Sequence, residues 1–238
     1  MRTTVLTQHL PLLMGMSCLA QKARSEGKEY GNAQFEKEIQ DFENADRKQF
    51  PPPGAIVCIG SSSMKGWHST IVNDLAPLTI IPRGFGGSSM NDALQYVDRI
   101  VIPYKPRAVA VYEGDNDIAD GISPEKIRDT FRAFVEKVHQ QLPETRIYFL
   151  SIKPSIGRWK LWPQMEAANR LIENYCSGER RLVYVDMGSA MLDANKQPRK
   201  DLFQPDNLHM TRAGYEIWRD VLKPVLIKAE LSFDVEQK

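Results

Sequence analysis

Ala55-Ile56-Val57-Cys58-Ile59-Gly60-Ser61-Ser62-Ser63 holds five consecutive apolar residues followed by a glycine and three serines. A run this short is strand length, and its lack of polar alternation marks a strand covered on both faces. Glycine and serine directly after it read as a turn out of the strand. The same pattern recurs outward along the chain, in short apolar runs at residues 78–81, 108–112, 146–151 and 182–185. Between and after them lie helical patterns at residues 90–102, 124–141, 163–176 and 211–227. In the second of these, Phe131, Phe134, Val135 and Val138 form an apolar stripe behind a Ser123 cap, with Pro124 at the first helical position. Apolar strands alternating with amphipathic helices predict the α/β class: a three-layer α/β/α sandwich around a five-stranded parallel sheet.

The 238 residues suffice for one substantial core, and one domain is the default at this length. Hydrophobic residues at 42% and charged residues at 26% are ordinary for a soluble globular chain. With 31 Lys+Arg against 30 Asp+Glu, nothing in the charge points to nucleic acid as a partner. Cys18, Cys58 and Cys176 are scattered, which excludes a zinc knuckle, a CxxC redox pair and a disulfide framework.

The chain divides unevenly. Arg2, the apolar residues 10–16 and the ending Cys18-Leu19-Ala20 make residues 1–20 a candidate signal peptide, and predict export to a periplasm or medium over a cytoplasmic location. Gln8, His9 and Pro11 interrupt this segment, and it is too short to span a membrane. A lipid anchor on Cys18 is the variant reading, against which Gly15 stands where a larger aliphatic residue belongs. Residues 21–53 form an arm and a helix: 21–32 are polar, and 33–47 carry Phe35, Ile39 and Phe42 at helical spacing. Pro51-Pro52-Pro53-Gly54 ends that helix. Residues 54–228 make the main domain and 229–238 a tail. No stable membrane insertion is predicted.

In an open α/β sheet, ligands bind beyond the carboxyl ends of the strands. Three polar loops fall there: Gly60-Ser61-Ser62-Ser63, Arg83-Gly84-Phe85-Gly86-Gly87 and Glu113-Gly114-Asp115-Asn116-Asp117. A serine hydroxyl becomes a nucleophile when a base, most often histidine, takes its proton. Of the four histidines, His9 lies in the leader, His139 near the end of an amphipathic helix, and His68 six residues after Ser62. His209 is the best base, because Asp206-Asn207-Leu208-His209 puts a carboxylate one turn from the imidazole. Taken alone, D-x-x-H reads as a helix-start turn with aspartate as its cap, and the serine cluster as a helix cap.

With these residues the chain resembles the SGNH subgroup of GDSL esterases and lipases, whose four blocks appear in order across residues 55–226. The first block resembles Gly60-Ser61-Ser62-Ser63 and implies Ser62 as nucleophile, with Ser61 and Ser63 as minor competitors. The second resembles Arg83-Gly84-Phe85-Gly86-Gly87-Ser88 and implies the Gly87 N–H as an oxyanion donor. The third, Gly114-Asp115-Asn116-Asp117, implies Asn116 as another donor, beside the Ser62 N–H. The last is similar to Asp206 through His209 and implies those two as acid and base. The resemblance implies a flavodoxin-like sheet, ester hydrolysis through an acyl-enzyme, no cofactor and no metal. Ser61 departs from the family's usual aspartate, which changes the hydrogen bonding around Ser62 and removes no catalytic group.

Competing readings fare worse. The glycine-rich loop fails the dinucleotide fingerprint at Ser89, and no Gly-Lys-Ser/Thr completes a P-loop. H-E-x-x-H is absent, and Asp115, Asp117 and Asp120 lack the terminal glutamate of a calcium loop. Met64 stands where a G-x-S-x-G elbow needs glycine. A non-catalytic carbohydrate binder, stacking sugars on Trp67, Trp159 and Trp162, is the alternative of a different class. Trp67, Arg83, Phe85 and Trp159 are the candidate substrate contacts, and Arg158, Trp159, Lys160 and Trp162 a candidate wall of the site. Such a wall suits a small-molecule or glycan ester better than a long-chain lipid, with a lipase, lysophospholipase or thioesterase on the same scaffold as the alternative.

Overall fold

A computed structural model of the chain describes residues 34–235. The candidate signal peptide, Cys18 and the polar stretch 21–32 lie outside them. In chain order the elements are α1 (Glu36–Lys48), β1 (Ile56–Gly60), α2 (Ser62–Trp67), α3 (Ile71–Asp74), β2 (Ile80–Gly84), α4 (Met90–Ile100) and β3 (Ala108–Tyr112). They continue with α5 (Asp115–Ala119), α6 (Pro124–Gln141), β4 (Arg146–Leu150), α7 (Trp162–Ser177), β5 (Leu182–Val185) and α8 (Arg212–Val235), with short 3-10 turns between some of them. The five strands are all parallel, in the order β2-β1-β3-β4-β5.

The apolar runs explain the layering. Successive side chains of a strand point to opposite faces, and here both faces are covered. Val57, Ile59, Val109, Val111, Ile147 and Phe149 pack with residues of α1, α4, α6 and α7. Ile56, Cys58, Ala108, Ala110, Tyr148 and Leu150 pack with α2, α3 and α8 on the other side. The thiols of Cys58 and Cys176 are buried in these cores, and burial pushes both up to about 12, so neither is a nucleophile near neutral pH. No helix among the described residues is long and apolar enough to cross a membrane.

Between β1 and β3 the chain reverses direction across the sheet, because β2 lies on one side of β1 and β3 on the other. The reversal opens a crevice at the carboxyl ends of these two strands. Gly60 ends β1 so close to β3 that a Cβ there would collide with the Tyr112 carbonyl, which is why the strand closes on glycine.

Two boundaries differ from the sequence reading. The second strand lies at Ile80–Gly84, because Arg83 and Gly84 join the ladder opposite Ile59 and Gly60. Residues 229–235 belong to α8 instead of a tail. The physical reason is charge: Glu230 is fully buried, accepts from Arg146 at 2.6 Å and from the Tyr148 hydroxyl at 2.5 Å, and Asp234 pairs with Arg107 at 2.5 Å. These partners stand at the amino ends of β3 and β4, so the last turns of α8 close the bottom of the sheet. Glu230→Ala leaves the Arg146 guanidinium and the Tyr148 hydroxyl without their shared acceptor, and is expected to cost about 3 kcal/mol, the low end for a broken buried pair because Arg146 keeps some contact with water. Urea unfolding of the variant against wild type checks this.

Candidate active site

Ser62 is the first residue of α2, directly beyond β1, so its N–H has no earlier turn to bond. Its hydroxyl faces the turn before α8: His209 Nε2 lies 3.1 Å from Ser62 Oγ, across 147 residues of sequence. His209 Nδ1 lies 2.6 Å from Asp206 Oδ2. The other carboxylate oxygen of Asp206 accepts the backbone N–H groups of Leu208 and His209, at 2.9 and 3.0 Å. One side chain thus caps the turn and holds the imidazole. Asn207, at φ 60°, supplies the left-handed residue of this tight turn, a conformation asparagine tolerates better than most. The bond from His209, followed by the two N–H groups, pushes the Asp206 pKa down to about 2, so it stays a carboxylate across the neutral range.

Opposite this row stand the second and third loops. Gly87 adopts φ 89°, where a side chain would strain the turn. Asn116 Nδ2 donates to the Ser88 carbonyl at 2.9 Å, and Asn116 Oδ1 accepts from Arg158 at 2.9 Å. Beneath them Glu113 is fully buried, and none of its hydrogen-bond or ion-pair partners is a cation. Ser88 Oγ lies 2.6 Å from Glu113 Oε1 and 2.9 Å from the Phe85 carbonyl. Burial, then the neighbouring Asp117, drives the Glu113 pKa well above the carboxylate range. Ser88 Oγ, with one hydrogen between two acceptors, ties Glu113 to the Phe85 carbonyl, and these contacts hold the loop from Phe85 to Ser88. Asp117, buried and pushed up to about 7, accepts the Met90 N–H at the start of α4.

Several candidates from the sequence fall elsewhere. Trp67 is fully buried, stacked on Tyr215 and bonded through Nε1 to Asp74 at 2.7 Å. It is core and offers no face to a sugar. Arg83 shares the Ile81 face of β2, where its guanidinium bonds Asp46 and Tyr104 and sits over the Phe42 ring, so α1 takes it and the crevice does not. Phe85 is fully buried edge-on to Phe35 and Tyr96. Trp159 is half-buried and stacked on Trp162, ring centroids 5.9 Å apart, in the loop between β4 and α7. His68 is held out of the row: its Nε2 accepts the Gly84 N–H at 2.9 Å, and burial with Arg83 and Lys65 nearby depresses its pKa to about 4. Ser61 Oγ is buried without a hydrogen-bond partner, and Ser63 is buried too. Asp115, part of the calcium reading, is paired with Arg158 at 3.0 Å.

Sequence reasoning missed the roles of Glu113 and Ser88. Their pairing spans 25 residues and two loops, and the one available signal was an acid placed directly after an apolar strand.

A doubly wound parallel sheet with a Ser–His–Asp row at its switch point defines a class, the serine hydrolases of three-layer α/β/α build. The chain belongs to the GDSL-like Lipase/Acylhydrolase family, whose model matches residues 55–217, and it is a serine ester hydrolase. The fold is similar to that of a GDSL-like lipase from Bacteroides thetaiotaomicron, at 20% identity, covering 80% of this chain and 98% of that one, TM-score 0.70. It is also similar to a protein from Streptococcus pneumoniae, at 20% identity, 89% and 98% coverage and TM-score 0.71. A variant of an acetyl-xylooligosaccharide esterase from Geobacillus stearothermophilus matches at 14% identity, 74% and 94% coverage and TM-score 0.58. No curated protein sequence matches the chain.

A raised carboxyl pKa stabilises the fold fully below the ordinary glutamate value of 4.5 and loses that contribution as pH climbs toward the folded value. Glu113→Gln keeps the site neutral at every pH. Its unfolding free energy is therefore expected to fall less than that of wild type as pH is raised above 4.5, measured by urea denaturation across a pH series.

Proposed function

We propose that the chain hydrolyses carboxylic esters of small or carbohydrate-linked acyl groups through an acyl-enzyme on Ser62. The observation that carries this reading is the continuous row from Ser62 Oγ to His209 Nε2 at 3.1 Å and from His209 Nδ1 to Asp206 at 2.6 Å. His209 takes the Ser62 proton as Oγ attacks the ester carbonyl, and Asp206 fixes the tautomer and steadies the imidazolium. The oxyanion is met by the Ser62 N–H, the Gly87 N–H and the Asn116 amide. His209 then returns its proton to the leaving alkoxide, and water, activated by the same imidazole, releases the acid and restores Ser62.

Two features support the small or glycan-linked acyl group. The side chains of Asp206 and His209 remain 47% and 39% exposed, whereas a long chain needs apolar cover to gain about 0.8 kcal/mol for each methylene. Trp159 and Trp162, half-buried and stacked on each other beyond the carboxyl end of β4, are the aromatic pair this reading would use for sugar rings. The likeness to an acetyl-xylooligosaccharide esterase agrees with this reading.

Ser62→Ala is expected to lower turnover of p-nitrophenyl acetate by on the order of 10⁴-fold or more. Retained activity would defeat the Ser62 assignment. A panel of acetyl, butyryl and octanoyl p-nitrophenyl esters with acetylated xylo-oligosaccharides decides the acyl group, and a preference for octanoyl would turn the reading toward a lipase.

A further inference from the structure

Arg158 lies in the loop between β4 and α7, 42 residues from Asn116, and touches the oxyanion side of the site at two points. One guanidinium nitrogen donates to Asn116 Oδ1 at 2.9 Å, and the other lies 3.0 Å from Asp115 Oδ2. We propose that Arg158 is a positioning residue that sets the orientation of the Asn116 amide for catalysis. The inference rests on the oxyanion role assigned to Asn116 above.

The chemistry of the donors decides the orientation. A guanidinium donates and never accepts, a carbonyl accepts and never donates, and an amide side chain has one end of each kind. With Oδ1 toward Arg158, Nδ2 faces the Ser88 carbonyl at 2.9 Å. One of its two hydrogens serves that carbonyl and the second is left for the substrate oxyanion. Flipping the amide sets donor against donor at Arg158 and acceptor against acceptor at Ser88, so both bonds are lost together. Without Arg158 only the Ser88 bond resists rotation, and the second hydrogen loses its fixed direction.

Asp115, 5% exposed in its side chain, pairs with the guanidinium and keeps it in place. That pairing makes Arg158 a poor candidate for recognising an anionic substrate. The same loop also reaches the triad: Gly157 N–H donates to the Asn207 carbonyl at 2.8 Å, and buried Lys153 donates to the Leu208 carbonyl at 3.0 Å. A single segment, 153–158, therefore spaces the oxyanion donor from the base.

A double-mutant cycle on p-nitrophenyl acetate tests the proposal. Arg158→Met keeps the apolar stem and removes every donor. It is expected to lower kcat about 10- to 100-fold with KM within about twofold, less than the roughly 10²–10³-fold loss expected of Asn116→Ala. In the Asn116→Ala background, Arg158→Met is expected to change kcat by less than about twofold, because a residue acting only through Asn116 has nothing left to position. Losses that multiply, or a raised KM at unchanged kcat, would overturn the positioning role while leaving the oxyanion reading intact. A fully active Asn116→Ala would sink both readings. If Arg158→Met fails to fold with Asp115 unpaired, Arg158→Met/Asp115→Asn, compared with Asp115→Asn alone, carries the same cycle.

Discussion

Everything at this site depends on the parallel pairing of β1 with β3 at the centre of a sheet buried on both faces. That pairing sets the turn bearing Ser62 beside the loop bearing Asn116, and the reversal of strand order between them leaves the crevice in which both point. The close approach of Gly60 to the Tyr112 carbonyl is the local expression of the same constraint. Rigid strands, not loops, set the distance over which a nucleophile and its oxyanion donors must agree.

The polar groups behind the site are arranged so that few charges stand unmatched. Glu113 is held toward its protonated form by burial, Asp115 is paired, Asp117 receives a helix N–H and Lys153 donates to a carbonyl. Burying a charge without a partner is costly, and a buried acid escapes that cost by keeping its proton. The exposed acid of the row, Asp206, has the opposite fate: three N–H donors and contact with water keep it ionised. Environment alone thus separates carboxylates of one residue class into a structural acid and an orienting base partner.

Much of this was legible beforehand because the signals are local. Apolar runs of strand length marked all five strands, although β2 lies two to three residues further on than its run suggests, since Arg83 and Gly84 pair by backbone alone. Asp206 and His209 are three residues apart, close enough for a turn to join them. The aromatic and basic candidates misled: Trp67, Arg83 and Phe85 flank the site in sequence, yet an α-helical face, the period of a strand and a turn into the core aim each of them inward or toward α1. The end of α8 was not legible in the same way, because the partners of its acids, Arg107 and Arg146, stand at the far end of other strands.

The sequence by itself determined the elements, the order of the loops at the sheet's edge and the chemical inventory, since strand length, helix period and turn chemistry depend on neighbouring residues. Tertiary structure alone decided how far the Ser62 hydroxyl stands from the imidazole, which way the Asn116 amide faces and which acids are held toward their protonated form. Those depend on contacts spanning tens to more than a hundred residues and on burial, which exist only once distant segments share one dry volume.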